Sequence, residues 1–377
     1  MTGAVALPPL VELLYSRWGE GPLPAWPEIE SIAGQHRLRP LLHDRAAAGG
    51  WDIPADLRGK WAAAHTRSGH RALRQRAELA RLARRLGEAG IAAWVLKGGA
   101  LVWRGWFDPA LRPMRDLDLL LSPEDAAAAQ ALLRAGGYGE TPGTSVDAKH
   151  LPGLLARGSG VLVELHTRLI DTPGPAWTAR EAAWREAALR EACAASPQTG
   201  GLAALSDTDT LLHVILHAVL DHQFNTGPLL LFDLSMLVRH GEIDWVRFWH
   251  SAALWGGERA AQLALRLAEA AIPGLAVDWF GHFPDNLDDE TLAAAAALLL
   301  VDTERRSELG LAGRIVRLEP GARAGQVWAA LRRGASAGGM AKLWRSAAGA
   351  AAVLARPADR RHVGGSLAVA RWLRTSA

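Results

Sequence analysis

The sequence predicts a mostly helical α+β fold: a small mixed β-sheet core flanked by N-terminal helices and a larger C-terminal helical domain. Three observations predict it. Alanine, arginine and leucine dominate a chain of 377 residues, and long stretches carry apolar residues at helical spacing. Strand-like runs are few and fall within residues 87–172. Inside that window the order reads strand, helix, strand, helix, hairpin. The expected units are therefore residues 1–86, 87–172 and 173–377.

The first unit is helical. Residues 7–18 are amphipathic, Pro27-Glu28-Ile29-Glu30 opens a second helix with proline in its first turn, and residues 55–86 form a long helical pattern that stops near Gly90. The second unit differs in texture. Residues 91–96 read as a short buried strand, residues 99–106 as one or two helical turns, and residues 115–121 as a second strand. Ser122-Pro123-Glu124-Asp125 then starts a helix, with serine capping, proline at the first position and acids in the first turn. Gly136-Gly137 ends it. Residues 150–156 and 161–166 flank Arg157-Gly158-Ser159-Gly160 as a hairpin. From residue 173 onward the pattern is helical, with breaks at Pro273-Gly274 and Pro284.

Composition bounds the function. Hydrophobic residues make up 49% and charged residues 21%, ordinary for a folded protein. The single cysteine, Cys193, rules out an internal disulfide and a cysteine zinc site, so a cytoplasmic location is expected. No stretch approaches the ~18 apolar residues of a membrane span, and residues 1–14 lack the features of a secretory signal. Net charge is only +3, yet 14 Lys and Arg against 4 Asp and Glu follow residue 302. That segment reads as a solvated arginine-rich helical surface or as an attractor for an anionic partner.

Chemistry concentrates in the middle unit. Asp116 and Asp118, two positions apart on a strand, project from one face while Leu117 and Leu119 point into the core. Exposed acids on an edge strand would look the same. A third carboxylate, Glu164, interrupts the apolar run Val161-Leu162-Val163-Glu164-Leu165-His166, where burial is costly unless it is paired or metal-bound. If the two strands are neighbours, the three acids converge on a site for one or two divalent ions. Lys97-Gly98-Gly99 offers a point charge and close backbone approach for phosphate, or is simply a strand-to-helix turn. Arg112 and Arg115 lie just upstream of the acids, and Arg112 is preferred for phosphate contact because Pro113 fixes its loop. His213 and His217, with Asp221 and His222 a turn further, read more readily as packed structural histidines than as half a zinc site. Asp233 reads as a helix cap or a buried polar anchor.

Taken together, these motifs resemble the signature of a large bacterial nucleotidyltransferase family within the DNA-polymerase-β-like superfamily. That signature is a Leu-Lys-Gly turn, an aromatic-rich helix, and Arg-x-Met-x-Asp-hydrophobic-Asp-Leu-Leu. Here it stands as Leu96-Lys97-Gly98, Trp103 and Trp106, and Arg112-Pro113-Met114-Arg115-Asp116-Leu117-Asp118-Leu119-Leu120. Glu164-Leu165-His166, the pair His213 and His217, and Phe232-Asp233-Leu234 match its later segments, so the likeness covers roughly residues 30–260.

The resemblance implies that Asp116, Asp118 and Glu164 bind Mg²⁺ or Mn²⁺ and are the catalytic acids. It implies that Lys97, Gly98 and Gly99 form the phosphate-side loop; Arg112 joins them as a nucleotide-binding candidate on its own loop, and His166, His213 and His217 stand as acceptor-side or structural candidates. The wider superfamily carries Gly-Ser where this chain has Gly98-Gly99, which shifts phosphate binding onto Lys97 and backbone N–H groups. The expected activity is transfer of a nucleoside monophosphate from an NTP, ATP included, to a hydroxyl or amine, releasing pyrophosphate. Small molecule, peptide and RNA all stand as acceptors, and the basic segment inclines towards an anionic one. The rival readings are a catalytically inactive nucleotide-binding or scaffold protein of the same fold and, more weakly, a zinc hydrolase built on His213, His217 and His222.

Overall fold

The computed structural model describes residues 5–15, 25–141, 149–170, 201–303 and 356–374, with single positions 183 and 187. Cys193, Trp18 and most of the basic segment lie outside the described residues. The fold is α+β and mostly helical, with one mixed six-stranded sheet. Among the described residues no helix is long and apolar enough to cross a membrane.

Helices α1 (Pro9–Tyr15), α2 (Trp26–His36) and α3 (Arg39–Gly49) lead into the 34-residue α4 (Ala55–Glu88). At 1.5 Å per residue α4 is about 50 Å long. Strand β1 (Ala93–Val95), helix α5 (Lys97–Arg104), a 3₁₀ turn (Pro109–Leu111) and strand β2 (Asp116–Leu120) follow. Helix α6 (Pro123–Ala135) is capped as its sequence requires: Ser122 Oγ accepts from the Asp125 amide at 3.0 Å. Next come β3 (Tyr138–Glu140), β4 (Leu154–Ala156), β5 (Val161–His166) and β6 (Leu202–Ala204). The C-terminal layer comprises α7 (Asp207–Leu216) with a π-turn (His217–Asp221), α8 (Leu229–His240), α9 (Trp245–Leu254), α10 (Glu258–Ala271), α11 (Asp289–Leu298) and α12 (Pro357–Arg374).

The strands lie in the order β3-β4-β5-β2-β1-β6. β2 is thus central, parallel to β5 on one side and antiparallel to β1 on the other. That removes the edge-strand explanation of Asp116 and Asp118. The expected hairpin is present as β4–β5, with the pairing of its first arm reduced beyond Leu154 to one bridge, His150 with His166. Two strands differ from the sequence reading. β3 and β6 have three residues each, too short to display an alternating pattern. β6 comes from beyond residue 172 and pairs parallel with β1, in a stretch expected to be helical.

Alternation along β2 divides its side chains between two layers. Leu117, Leu119 and Leu121, with Val163 and Leu165, pack on Leu79, Leu82 and Leu86 of α4 and on α6. The opposite face carries Asp116, Asp118 and Leu120, and Leu120 belongs to the core of the C-terminal helices. A third core joins α1–α3 to Leu57 and Trp61 of α4 and to Leu229 and Phe232 of α8. Each fully buried leucine contributes roughly 1.5–3 kcal/mol. On α4, buried Glu78 accepts from Tyr138 Oη and, at 2.6 Å, from Ser159 Oγ, tying the helix to β3 and the β4–β5 turn.

Candidate active site

The two central strands present the site. Register pairs Asp118 with Glu164 and Asp116 with Leu162, so β2 and β5 place all three carboxylates on the face that looks towards the C-terminal helices. His166 extends the same row from the end of β5, and its Nε2 lies 2.7 Å from Asp118 Oδ1 and 3.7 Å from Glu164 Oε2. Asp118, Glu164 and His166 offer donor atoms all within 4.8 Å of one another, the one such group among the described residues.

At the β1–α5 turn, Lys97 begins the helix with φ 50°, a left-handed conformation costing a non-glycine residue on the order of 1–3 kcal/mol. The turn directs the Lys97 ammonium onto Asp118 Oδ1 at 2.8 Å. Behind it the glycines are needed for packing. A Cβ on Gly98 would come within 3.0 Å of Met114 Sδ, and one on Gly99 within 2.9 Å of Val95 Cγ1. A side chain at position 99 would therefore press on Val95. The first amides of α5 have no acceptor within the helix, so they are suited to an anion.

Charge is distributed unevenly among the acids. Burial, reinforced by Asp118 and Glu164, pushes the Asp116 carboxyl up to about 6 against the partial relief of Lys97 and Arg37. Burial acts on Asp118 too, but Lys97 and His166 outweigh it and hold that carboxyl well below the usual range. The contact with His166 likewise lowers Glu164, against burial. Lys97 is raised, because the attraction of Asp118, and more weakly of Asp116 and Glu164, overcomes its burial. Oxygen donors at this density, one of them resisting ionisation for want of positive charge, are compatible with a divalent metal.

The acids border a cavity of about 410 Å³ where the three layers meet. Gln35, His36 and Arg37 reach it from the end of α2, and Lys97 to Gly99 and Arg112 to Asp116 from the sheet side. His217, His222, Asn225 and Thr226 reach it from the π-turn and the loop after it. Arg112 lines the cavity, but its guanidinium grips Asp233 through two bonds of 2.6 and 2.7 Å. Asp233 is thus a buried anchor in mid-helix and not a cap. Arg115 is exposed on the rim.

His213 is buried, with Nε2 3.3 Å from the Leu169 carbonyl oxygen, and burial with nearby Lys97 and Lys149 pushes it down to about 3. His217 meets Asp221 and not a metal-ligand set: Nδ1 lies 3.1 Å from Asp221 Oδ2 and 3.5 Å from the Lys149 ammonium. The trio His213, His217 and His222 does not converge on a metal position. Lys149, Arg37, Asn225 and Thr226 border the cavity without having stood out in the sequence. Arg37 carried no periodic or motif signal, and Lys149 finds Asp221 72 residues away.

A sheet-borne Asp/Glu/His cluster beside a glycine-rich helix start is compatible with a divalent-metal site. The chain belongs to a family described as uncharacterised nucleotidyltransferase, whose model matches residues 23–273, roughly two thirds of its length. Membership supports nucleotidyl transfer as its general chemistry. No curated protein and no solved structure matches the chain.

Proposed function

We propose that the protein moves a nucleoside monophosphate from an NTP to an acceptor hydroxyl or amine in the presence of Mg²⁺ or Mn²⁺. The observation that carries this reading is the row Asp116, Asp118 and Glu164, set in register on two central strands beside the Lys97-Gly98-Gly99 helix start. Asp116, Asp118 and Glu164, with His166 beside them, would hold the metal, which when bound supplies positive charge to the triphosphate and to the attacking oxygen. Lys97, the first amides of α5 and the rim cations Arg37 and Arg115 would align the phosphates. Arg112 shapes this wall through Asp233 and faces the same ligand.

In the reaction, the acceptor oxygen or nitrogen forms a bond to the α-phosphorus. The bond from that phosphorus to the β-phosphate oxygen breaks, and pyrophosphate leaves. Glu164, ionised at neutral pH by virtue of His166, can receive the acceptor proton. No covalent enzyme nucleophile is needed, since alignment and charge neutralisation supply the catalysis.

The test is pyrophosphate release with each NTP, with Mg²⁺ or Mn²⁺, across small-molecule, peptide and RNA acceptors. The wild type should turn over, and Asp116→Ala/Asp118→Ala should lose at least 10³-fold, the scale of removing a transition-state charge partner. Nucleotide-induced thermal stabilisation without turnover on any acceptor would support the binding or scaffold reading instead.

A further inference from the structure

Helix α4 displays a run of positive charge that the nucleotide site does not use. From Leu57 to Gly87 it carries nine Lys and Arg against one acid, and that acid, Glu78, is buried. Arg67, Arg71, Arg74, Arg76 and Arg84 are exposed and make no hydrogen bond or ion pair among the described residues. Arg67, Arg71, Arg74 and Arg81 follow at intervals of four, three and seven residues, so they share one face of the helix. They cover about 21 Å of its length. Like charges at such spacing repel and weaken a helix. An arginine-rich composition does not explain the run, since α10 of the same chain pairs Arg266 with Glu269. The face also has a definite place. Gln75, one turn on from Arg71, donates from its buried amide to the Met114 carbonyl at 3.4 Å, next to Arg115 on the cavity rim. Further along, Glu78 holds Ser159 Oγ of the β4–β5 turn, where Arg157 is exposed.

We propose that this face of α4 docks the sugar–phosphate backbone of an RNA whose terminal hydroxyl enters the cavity as the acceptor. The inference rests on the nucleotidyl-transfer reading and names its acceptor class. Charge complementarity carries it. A row of unpaired arginines matches a row of phosphates, and about 21 Å of helix spans about six nucleotides at 3.4 Å each. Arg115 continues the positive face to the rim, one residue before Asp116. Two features separate RNA from other anionic partners. A helix that binds a membrane needs an apolar face for the lipid. The apolar face of α4 lies in two cores, and of its large apolar side chains only Leu73 is exposed. A helix that reads DNA enters the major groove, which α4, packed into those cores along its length, is not free to do. Contact with phosphates along one exposed face suits RNA, which is recognised by its shape and backbone.

The experiment measures RNA binding and turnover separately on the full chain. Fluorescence polarisation with a short RNA hairpin bearing a single-stranded 3′ end should show wild-type binding that weakens at least tenfold between about 50 and 200 mM salt. Arg71→Gln/Arg74→Gln removes no internal bond, so it should keep the wild-type Tm. It should bind the hairpin at least tenfold more weakly and lower the salt slope by about two. Arg371→Gln/Arg374→Gln, on α12, removes the same charge from exposed positions and should change binding less than twofold. In the pyrophosphate assay the α4 variant should raise the KM for the RNA at least tenfold and leave the NTP KM within twofold. Equal loss in the two variants, or equal binding of a DNA hairpin of the same sequence, overturns the proposal. Binding of phosphatidylserine vesicles through these arginines in place of the RNA overturns it as well. So does turnover on a small molecule or a peptide but not on the RNA, which leaves nucleotidyl transfer standing. RNA binding through α4 with no pyrophosphate release on any acceptor upholds the docking face and overturns the transfer reading.

Discussion

Asp116 carries a charge that its surroundings resist, and this has a measurable sign. Its folded pKa, about 6, lies above the ordinary 3.8. The folded state is therefore favoured below about pH 4 and loses that advantage as pH climbs through 6. In metal-free buffer at pH 8, Asp116→Asn should stabilise the protein by about 2–3 kcal/mol, seen in denaturant titration, with the gap closing towards pH 4. The same substitution should abolish pyrophosphate release. Mn²⁺ affinity, followed by electron paramagnetic resonance, should rise up to tenfold per pH unit below pH 6 and level off above it, since metal and proton compete for one carboxylate.

The residue scale also shows what the sequence could and could not disclose. Asp116, Asp118 and Glu164 were legible because charged side chains at alternate positions stand out against a leucine and valine background. Their convergence needed only that β2 and β5 be neighbours. Arg112 was harder. Its fixed loop suggested a phosphate contact, whereas its guanidinium is held by Asp233, 121 residues on. Pairs of that separation leave no periodic trace, and Lys149 with Asp221 is the same case.

At the scale of elements, the β1–α5 turn is the most exacting piece. Gly99→Ser places a Cβ 2.9 Å from Val95 Cγ1. It should cost about 1–3 kcal/mol by overpacking, and Val95→Ala in the same chain should recover part of that loss. Thermal unfolding of the two single variants and the double variant would show this coupling. The link between β2 and α8 is equally specific. Asp233→Asn leaves the Arg112 guanidinium buried without its counter-charge and should cost about 3–5 kcal/mol, read from the midpoint of urea unfolding. Element type was legible where caps and length were strong, as in α6 with Ser122 or the long α4. It was not where three residues sufficed for a strand, as in β3 and β6. Those form because neighbouring backbone completes their ladders, a tertiary effect absent from local pattern.

For the whole molecule, three cores meet at one cavity, and α4 spans two of them, from Trp61 to Leu86. The C-terminal helix α12 belongs to the largest. Val363, Val369 and Trp372 are buried there, and the Arg259 guanidinium stacks over Trp372 at 4.6 Å. Ending the chain at residue 355 should therefore lower the unfolding midpoint and expose apolar surface, measurable as increased binding of a hydrophobic dye. A ligand in the cavity touches all three layers, so its binding should sharpen and raise the unfolding transition of the whole chain, by mass action.

The partition of the cavity between layers has an evolutionary consequence. The carboxylates and the Lys97 turn stand on a sheet whose register admits little change, because one residue of slip would turn every acid into the leucine core. Asn225 and Thr226 stand on a loop between helices, where substitution disturbs no ladder. New specificities can be tried on the loop while the strands stay as they are, so a lineage built on this scaffold can diversify what it recognises without rebuilding its chemistry.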